Sequence, residues 1–247
     1  MNVDILIPAL NEEMSIGFVV QRIFANCSEP KEWTLRQVLV VDNQSIDATA
    51  HRAREAGAEV VYCGQPGYGS ACLRGIDALT YDPPDILVFI DGDGADDPSD
   101  LSALLDPIVT DNVDLVIGSR IRYAESGSLS PLQRFGNALS CTLISQLFKI
   151  DYSDLGPFRA IKWKALQALE MSDQNFGWTV EMQTKAAKRG LTVREIDVRY
   201  RPRYAGESKI SGQLVPSLKA GYKILSTIGK EALRSNNGVK KSEEESS

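Results

Sequence analysis

Two carboxylates separated by one glycine, Asp91-Gly92-Asp93, close the apolar run Ile86 to Ile90, and Asp96 and Asp97 follow at once. Acids this close repel, and each raises its neighbour's pKa unless positive charge lies among them. One solution is a divalent cation, because magnesium, manganese and calcium prefer oxygen ligands. The other is an acidic turn left in water. A second group has the opposite sign: Arg199, Arg201, Arg203 and Lys209 crowd a short stretch whose one acid is Glu207. Arg120 and Arg134 add to it. Guanidinium groups grip phosphate oxygens with two donors at once, so these are candidate phosphate ligands. The competing reading is a solvated basic face. A metal between carboxylates and a diphosphate would act as a Lewis acid on a departing group.

Other uses of these groups fail on spacing. An EF-hand loop starting at Asp91 needs an acid or amide at Ala95, glycine at Asp96 and glutamate at Ser102. A dinucleotide fingerprint belongs after the first strand, where Pro8 to Glu13 contains no glycine. Gly67 and Gly69 are followed by Cys72 where a third glycine would stand, and no Gly-Lys-Ser/Thr of a P-loop follows. A haloacid-dehalogenase Asp-x-Asp opens its fold and continues with Thr or Val; here the motif ends a fourth strand and continues with Gly94-Ala95. A lone His51 removes histidine metal clusters and Ser-His triads. Cys27, Cys63, Cys72 and Cys141 have no metal-like spacing and read as reduced, buried thiols of a cytosolic protein. The net charge of -6 argues against nucleic acid as a partner.

The elements that must position these residues alternate. Val3–Ala9, Arg36–Asn43, Ala58–Cys63, Asp85–Asp93 and Asp114–Arg120 read as buried strands rich in Val and Ile. Asn11–Cys27, Ser45–Gly57 and Gly69–Thr80 read as helices between them, with Ser45 or Asp47 as a cap and Gly57 as a stop. Such alternation predicts an α/β fold with a mostly parallel central sheet and helices on both faces. Ligands of these sheets bind beyond the carboxyl ends of the strands, where Asp42, Asp91, Asp93 and Arg120 fall, so these four should face one crevice. Later come a helix over Ser130–Lys149, a strand leading into a helix over Gly156–Glu170, a helix over Thr179–Gly190 and a strand over Leu191–Arg203. The pattern predicts one domain over 1–234, ending in a helix from Leu214 to Arg234, and a polar disordered tail over 235–247. The start of the chain has no leader-like segment, and no apolar run reaches transmembrane length. A cytoplasmic protein is expected.

The motifs IPALNEE, VVDNQSIDAT, PGYGSACLRGI, DGDGADDP, GSR, RFGN, DLGPFRA and YRPRYAGESKISG occur in that order between Val3 and Gly229. In this series the chain resembles the inverting GT-A-fold glycosyltransferases, above all the dolichyl- or polyprenyl-phosphate mannose and glucose synthases. The resemblance implies a Rossmann-like nucleotide-diphospho-sugar transferase fold and a hexose taken from a UDP- or GDP-sugar with Mg2+ or Mn2+. The implied acceptor is a polyprenyl phosphate at the cytoplasmic membrane face. Asp91 and Asp93 would hold the metal, with Gly92 and Gly94 permitting the turn that brings them together. A polar residue often assists two positions on. Here Ala95 stands instead, which leaves water or Asp96 to complete the shell.

Pro8, Ala9 and Asn11 would surround the nucleoside, Glu12 would accept from ribose hydroxyls, and Asp42 from the N–H of uracil or guanine. Helix capping is the alternative for Asn11 and Asp47. Arg201 and the ESKISG loop with its Lys209 would close over the donor diphosphate, while Arg120 and Arg134 would meet an acceptor phosphate. Glu181 is either a base for a hydroxyl acceptor or the buried partner of a cation; a phosphate acceptor needs no base. The final helix carries Leu214, Leu218, Tyr222 and Leu225 on one face and Lys219, Lys223, Lys230 and Arg234 on another, which suits peripheral contact with an anionic membrane or ordinary core packing. Two other functions remain open: transfer to a soluble or lipid hydroxyl, and a non-catalytic nucleotide-sugar-binding module.

Overall fold

The structure is a computed structural model and describes residues 1–27, 31–205 and 226–229. Its centre is a seven-stranded sheet in the order β3-β2-β1-β4-β6-β5-β7. The strands are β1 (Asn2–Ala9), β2 (Thr34–Asp42), β3 (Glu59–Tyr62), β4 (Ile86–Phe89), β5 (Leu115–Ala124), β6 (Arg159–Lys162) and β7 (Val193–Tyr200). All are parallel except β6, which runs antiparallel between β4 and β5. The helices are α1 (Ile16–Asn26), α2 (Thr49–Glu55), α3 (Tyr68–Leu79), α4 (Leu101–Thr110), α5 (Pro131–Phe148), α6 (Trp163–Leu169) and α7 (Trp178–Lys188).

β4 is apolar throughout because both of its faces are covered. On β1, Val3, Ile5, Ile7 and Ala9 join a core with α1 and α4, while Leu6 points into the opposite core with α3, α6 and α7. Each fully buried Val, Ile or Leu contributes roughly 1.5–3 kcal/mol relative to exposure. α3 lies tight on this sheet: a Cβ on Gly75 would come within 2.3 Å of Leu6 Cδ1.

Three local expectations change. β4 stops at Phe89; Ile90 N–H makes one more bond to the Leu6 carbonyl at 3.2 Å, and the chain then turns out of the sheet. α1 begins at Ile16 rather than Asn11, because Asn11 takes a left-handed φ of 51° and is drawn to the loop after β2. α4 was not expected from the sequence, since Pro98 and Pro107 interrupt a run that begins in acids. Its Leu101, Leu104, Leu105 and Ile108 nonetheless follow helical spacing and are buried. Pro98 opens a short 3-10 turn capped by Asp97, and Pro107 is accommodated inside the helix.

The order reverses at β1, whose chain neighbour β2 lies on one side and β4 on the other. In doubly wound sheets the crevice at such a switch point receives the ligand. The ends of β1, β2 and β4 therefore define where a site can form.

Candidate active site

The acidic loop leaves β4 at this switch point. Gly94, at φ 77°, supplies the left-handed residue of the turn. Gly92 does not share that role: its φ is not left-handed, and it is needed because a Cβ there would lie 3.2 Å from Ile16 Cδ1 and 3.3 Å from Ile7 Cγ2. Tyr68 Oη donates to Asp91 Oδ1 at 3.1 Å, and Ala95 N–H donates to Asp93 Oδ1 at 2.9 Å. Asp97 has a structural occupation, capping the 3-10 turn through Ser99 and accepting from Arg22 at 2.6 Å. Asp96 is different. It is 1% exposed, and neither carboxylate oxygen has a hydrogen-bond partner among the described residues.

Burial, followed by the charge on Asp93, pushes the Asp91 carboxyl up to about 7. Burial and then the charges of Asp91 and Asp93 push Asp96 well above the carboxylate range. Asp91 titrates near 3.8 when unperturbed and near 7 here, so the folded state keeps a proton that the unfolded chain releases. Its contribution to stability falls as pH rises through that window. In chelator, the melting temperature should be lower at about pH 7.5 than at about pH 5. A melting temperature that rises over this interval in chelator would show that the loop carries no such charge burden.

The basic residues reach this loop because the chain leaving β7 pairs with it. Asp96 and Tyr200 form an antiparallel bridge, Arg201 N–H donates to the Ala95 carbonyl at 2.9 Å, and Tyr204 N–H to the Asp93 carbonyl at 3.0 Å. The Tyr204 ring stacks on Phe18 at 4.2 Å, fastening the segment to α1. Arg201 thereby lies 2.7 Å from Asp97 Oδ2 and 3.4 Å from Glu125, with its side chain still 41% exposed. Arg203 reaches Asp93 Oδ2 at 3.0 Å and Glu12 Oε1 at 3.4 Å. Arg199 instead closes a surface pair with Asp100.

The loops after β1 and β2 are sewn into one wall. Asn11 N–H donates to Ser45 Oγ at 2.9 Å and its Oδ1 accepts from Ile46 N–H at 2.9 Å, so Asn11 caps no helix. Glu12 N–H donates to Thr49 Oγ1 at 2.7 Å. Asp42, nearly buried, accepts from Ser45 N–H at 3.0 Å beside the buried Ala9 and half-buried Pro8. Asp47 turns the chain through Thr49 N–H at 3.0 Å, one residue before the α2 cap position Ala48. Asn43 joins this wall to the next loop, donating to the Gln65 carbonyl at 2.6 Å and accepting from Gly67 N–H at 2.9 Å.

Arg120 sits deeper than a surface phosphate ligand would. A register shift after Ser119 takes it out of the β5–β7 ladder. Its N–H and Nε both donate to Asp154 Oδ2, at 2.8 and 2.7 Å, and a terminal nitrogen to Oδ1 at 2.8 Å. Its guanidinium lies over the Tyr200 ring at 5.0 Å. Burial alone would raise the Asp154 carboxyl; the hydrogen bonds and charge of Arg120 outweigh it and hold the group below the usual range. Arg134 is exposed on α5, its Nε 3.5 Å from the Leu129 carbonyl, and Leu129 packs with Ala95 and Tyr200. Lys209 and the proposed final helix, apart from 226–229, lie outside the described residues.

Glu181 is buried in α7 and fully engaged. It accepts from Ser172 Oγ at 2.7 Å and Asp173 N–H at 2.7 Å, and pairs with Lys185 at 2.7 Å. These groups overcome the cost of burial and keep the carboxyl below its ordinary range. The loop that Glu181 holds is the one on which Gly67 and Gly69 rest: a Cβ at Gly69 would lie 1.9 Å from the Asp173 carbonyl oxygen. The PGYG motif therefore needs its glycines for backbone approach rather than for phosphate.

Residues 4–169 match the family model described as glycosyl transferase family 2. The chain belongs to that family. It is a glycosyltransferase with the GT-A fold. It is 36% identical over 219 residues to an uncharacterized glycosyltransferase of Mycobacterium tuberculosis, covering 88% of this chain and 94% of that one. It is 28% identical to a polyprenol monophosphomannose synthase of Mycolicibacterium smegmatis, over 84% of this chain and 80% of the relative. An undecaprenyl-phosphate mannosyltransferase of Micrococcus luteus is 29% identical over 87% of this chain and 90% of its own. Among solved structures, glucosyl-3-phosphoglycerate synthase of Mycobacterium tuberculosis, bound to Mn2+, UDP-glucose and phosphoglyceric acid, superposes with a TM-score of 0.73 at 21% identity, over 94% of this chain and 79% of that one. That likeness concerns the fold.

Three residues of the candidate site had no assigned role in the sequence. Tyr68 reaches Asp91 from the first turn of α3, and Asp154 holds Arg120. Arg203 was visible only as one of a basic run. Each lies inside one of the motifs, Tyr68 in PGYGSACLRGI, Asp154 in DLGPFRA and Arg203 in YRPRYAGESKISG, but its partner is set by pairing between distant segments.

Proposed function

We propose that this glycosyltransferase moves a hexose from a UDP- or GDP-sugar to a polyprenyl phosphate at the cytoplasmic membrane face, with inversion and with Mg2+ or Mn2+. The observation that carries the donor half is the basic segment Arg201–Arg203 laid by backbone bonds across the acidic loop at the switch point. Opposite charges are gathered where a diphosphate and a cation would both find partners.

The residues fit a divalent cation. No three His, Cys, Asp or Glu side chains among the described residues form a ready-made cluster. Magnesium and manganese sites of nucleotide enzymes do not require one, since one or two carboxylates suffice when substrate phosphates complete the shell. The orphaned carboxylate of Asp96 beside Asp91 and Asp93 is the stronger indication, because buried like charges call for a cation. Asp91 and Asp93 would hold it, with Asp96 behind them. When bound, it supplies Lewis-acid stabilisation of the leaving diphosphate. Arg201, half exposed and anchored by its backbone, meets the negative charge that grows as the sugar–oxygen bond breaks. Asp42, Asn11 and Glu12 line the nucleoside wall.

The acceptor half rests on Glu181. A general base needs an oxygen free to face the acceptor, and both Glu181 oxygens accept from the 172–173 loop. A phosphate oxygen is already anionic and attacks the anomeric carbon without deprotonation. The electron pair of the broken bond leaves on the nucleoside diphosphate. No helix among the described residues is long and apolar enough to cross a membrane, so a lipid acceptor would be met at the surface.

Glu181→Gln tests the acceptor class. Toward polyprenyl phosphate the variant should retain most of its rate, while Arg134→Ala should raise the acceptor KM several-fold. Toward a hydroxyl acceptor, loss of a base would cost on the order of a hundredfold or more. Lys185 would be left without its carboxylate, so melting temperature is measured beside rate. A folded Glu181→Gln enzyme inactive toward polyprenyl phosphate would overturn the phosphate acceptor.

A further inference from the structure

Arg203 lies between two carboxylates that serve different parts of the donor. One terminal nitrogen is 3.0 Å from Asp93 Oδ2, the other 3.4 Å from Glu12 Oε1. The acids are nearly enclosed, with side chains 7% and 9% exposed. The pairing with Asp93 is not what fastens the segment, because the backbone bonds of Arg201 and Tyr204 and the Tyr204–Phe18 stack already do so. Nor can Asp97 take Arg203 over, since Arg22 and Arg201 occupy it.

A guanidinium and a divalent cation compete for the same Asp93 charge and repel each other across a short, partly dry distance. Resting on the donor-site reading above, we propose that Arg203 is a positioning residue that couples metal to nucleotide. It holds Asp93 until a nucleoside diphosphate offers it replacement oxygens, and the metal then takes Asp93. Metal alone is opposed because it displaces a partly buried arginine that loses a counter-ion. A diphosphate removes that opposition, since its oxygens match the guanidinium fork. By linkage, the metal must raise nucleotide affinity by the same factor. Asp93 is thus kept neutralised between turnovers, and free metal does not fill an empty donor site.

The test uses the full chain and Mn2+, with free Mn2+ followed by electron paramagnetic resonance, alone and with UDP or GDP. The wild-type protein should bind Mn2+ weakly alone and much more tightly with the matching diphosphate. In Arg203→Met, Mn2+ alone should bind about tenfold more tightly, and the enhancement by diphosphate should shrink by about the same factor. Arg203→Lys should fall between. Arg203→Met that melts normally with unchanged Mn2+ affinity and unchanged enhancement would overturn the proposal. Should that variant fold poorly, Glu12→Gln gives the opposite reading. With one anion removed, Arg203 is committed to Asp93, so Mn2+ alone must bind more weakly and the enhancement must grow; no change there overturns the proposal as well. Asp93→Asn separates the two levels. If it retains wild-type Mn2+ affinity, the donor-site reading itself fails; if it loses Mn2+ while Arg203→Met behaves as wild type, the coupling alone fails.

Discussion

Asp93→Asn will lose metal-dependent donor binding and at least about a hundredfold in transfer rate, with a fold that still melts cooperatively. The size follows from the charge removed: a metal's stabilisation of a leaving diphosphate is worth several kcal/mol, and each 1.36 kcal/mol is a factor of about ten. Asn can still accept from Ala95 N–H, so the turn retains its hydrogen bond. The lost pairing with Arg203 is offset in part because the charge that Asp93 imposes on Asp91 and Asp96 is gone. Calorimetric titration of UDP- and GDP-hexoses with and without Mn2+ reads the first effect, and a thermal melt in chelator the second. Full activity in this variant, or in chelator, would end the metal assignment.

Arg120→Met will cost the protein about 3–5 kcal/mol, a loss of roughly ten degrees in melting temperature for a chain of this size. The Asp154 side chain is 1% exposed, and Arg120 supplies three of its hydrogen bonds. Removing the cation strands a buried carboxylate, which is far more costly than never having buried the pair. Arg120→Met combined with Asp154→Asn should recover much of the stability, because no charge is then buried and the one amide oxygen still accepts from the backbone N–H of residue 120. That double variant also decides what Arg120 does. If it contacts the acceptor phosphate, the stable double variant will still show a raised acceptor KM; if it only braces the loop, the KM will return to the wild-type value. An Arg120→Met protein that melts like the wild type would show that the pair is not the brace described.

The strands and most helices were legible in the sequence because burial on both faces leaves an unmistakable record. Runs such as Ile5-Leu6-Ile7 and Val38-Leu39-Val40-Val41 can only be central strands, and strands alternating with helices can only wind into a mostly parallel sheet. The position of a site at the ends of β1, β2 and β4 followed from that topology, and Asp91-Gly92-Asp93 marked it chemically. α4 escaped notice because two prolines obscured its period.

What the sequence could not decide was which charge meets which. Asp96 and Asp97 are adjacent and chemically identical, yet one caps a turn and pairs with Arg22 and Arg201 while the other is buried with no hydrogen-bond partner among the described residues. Arg199, Arg201 and Arg203 alternate along one strand end, yet the first closes a surface pair with Asp100, the second reaches Asp97 with much of its side chain exposed, and the third sits on Asp93 and Glu12. Arg120 reads in the sequence as a candidate phosphate ligand, and the register shift in β5 gives it a buried partner in Asp154 that no local pattern announces. Local pattern reports whether a side chain is buried, since periodicity follows from the geometry of a single element. Pairing of charges joins residues about 100 positions apart, such as Asp97 with Arg201. It is settled only when the chain leaving β7 is laid against the loop leaving β4.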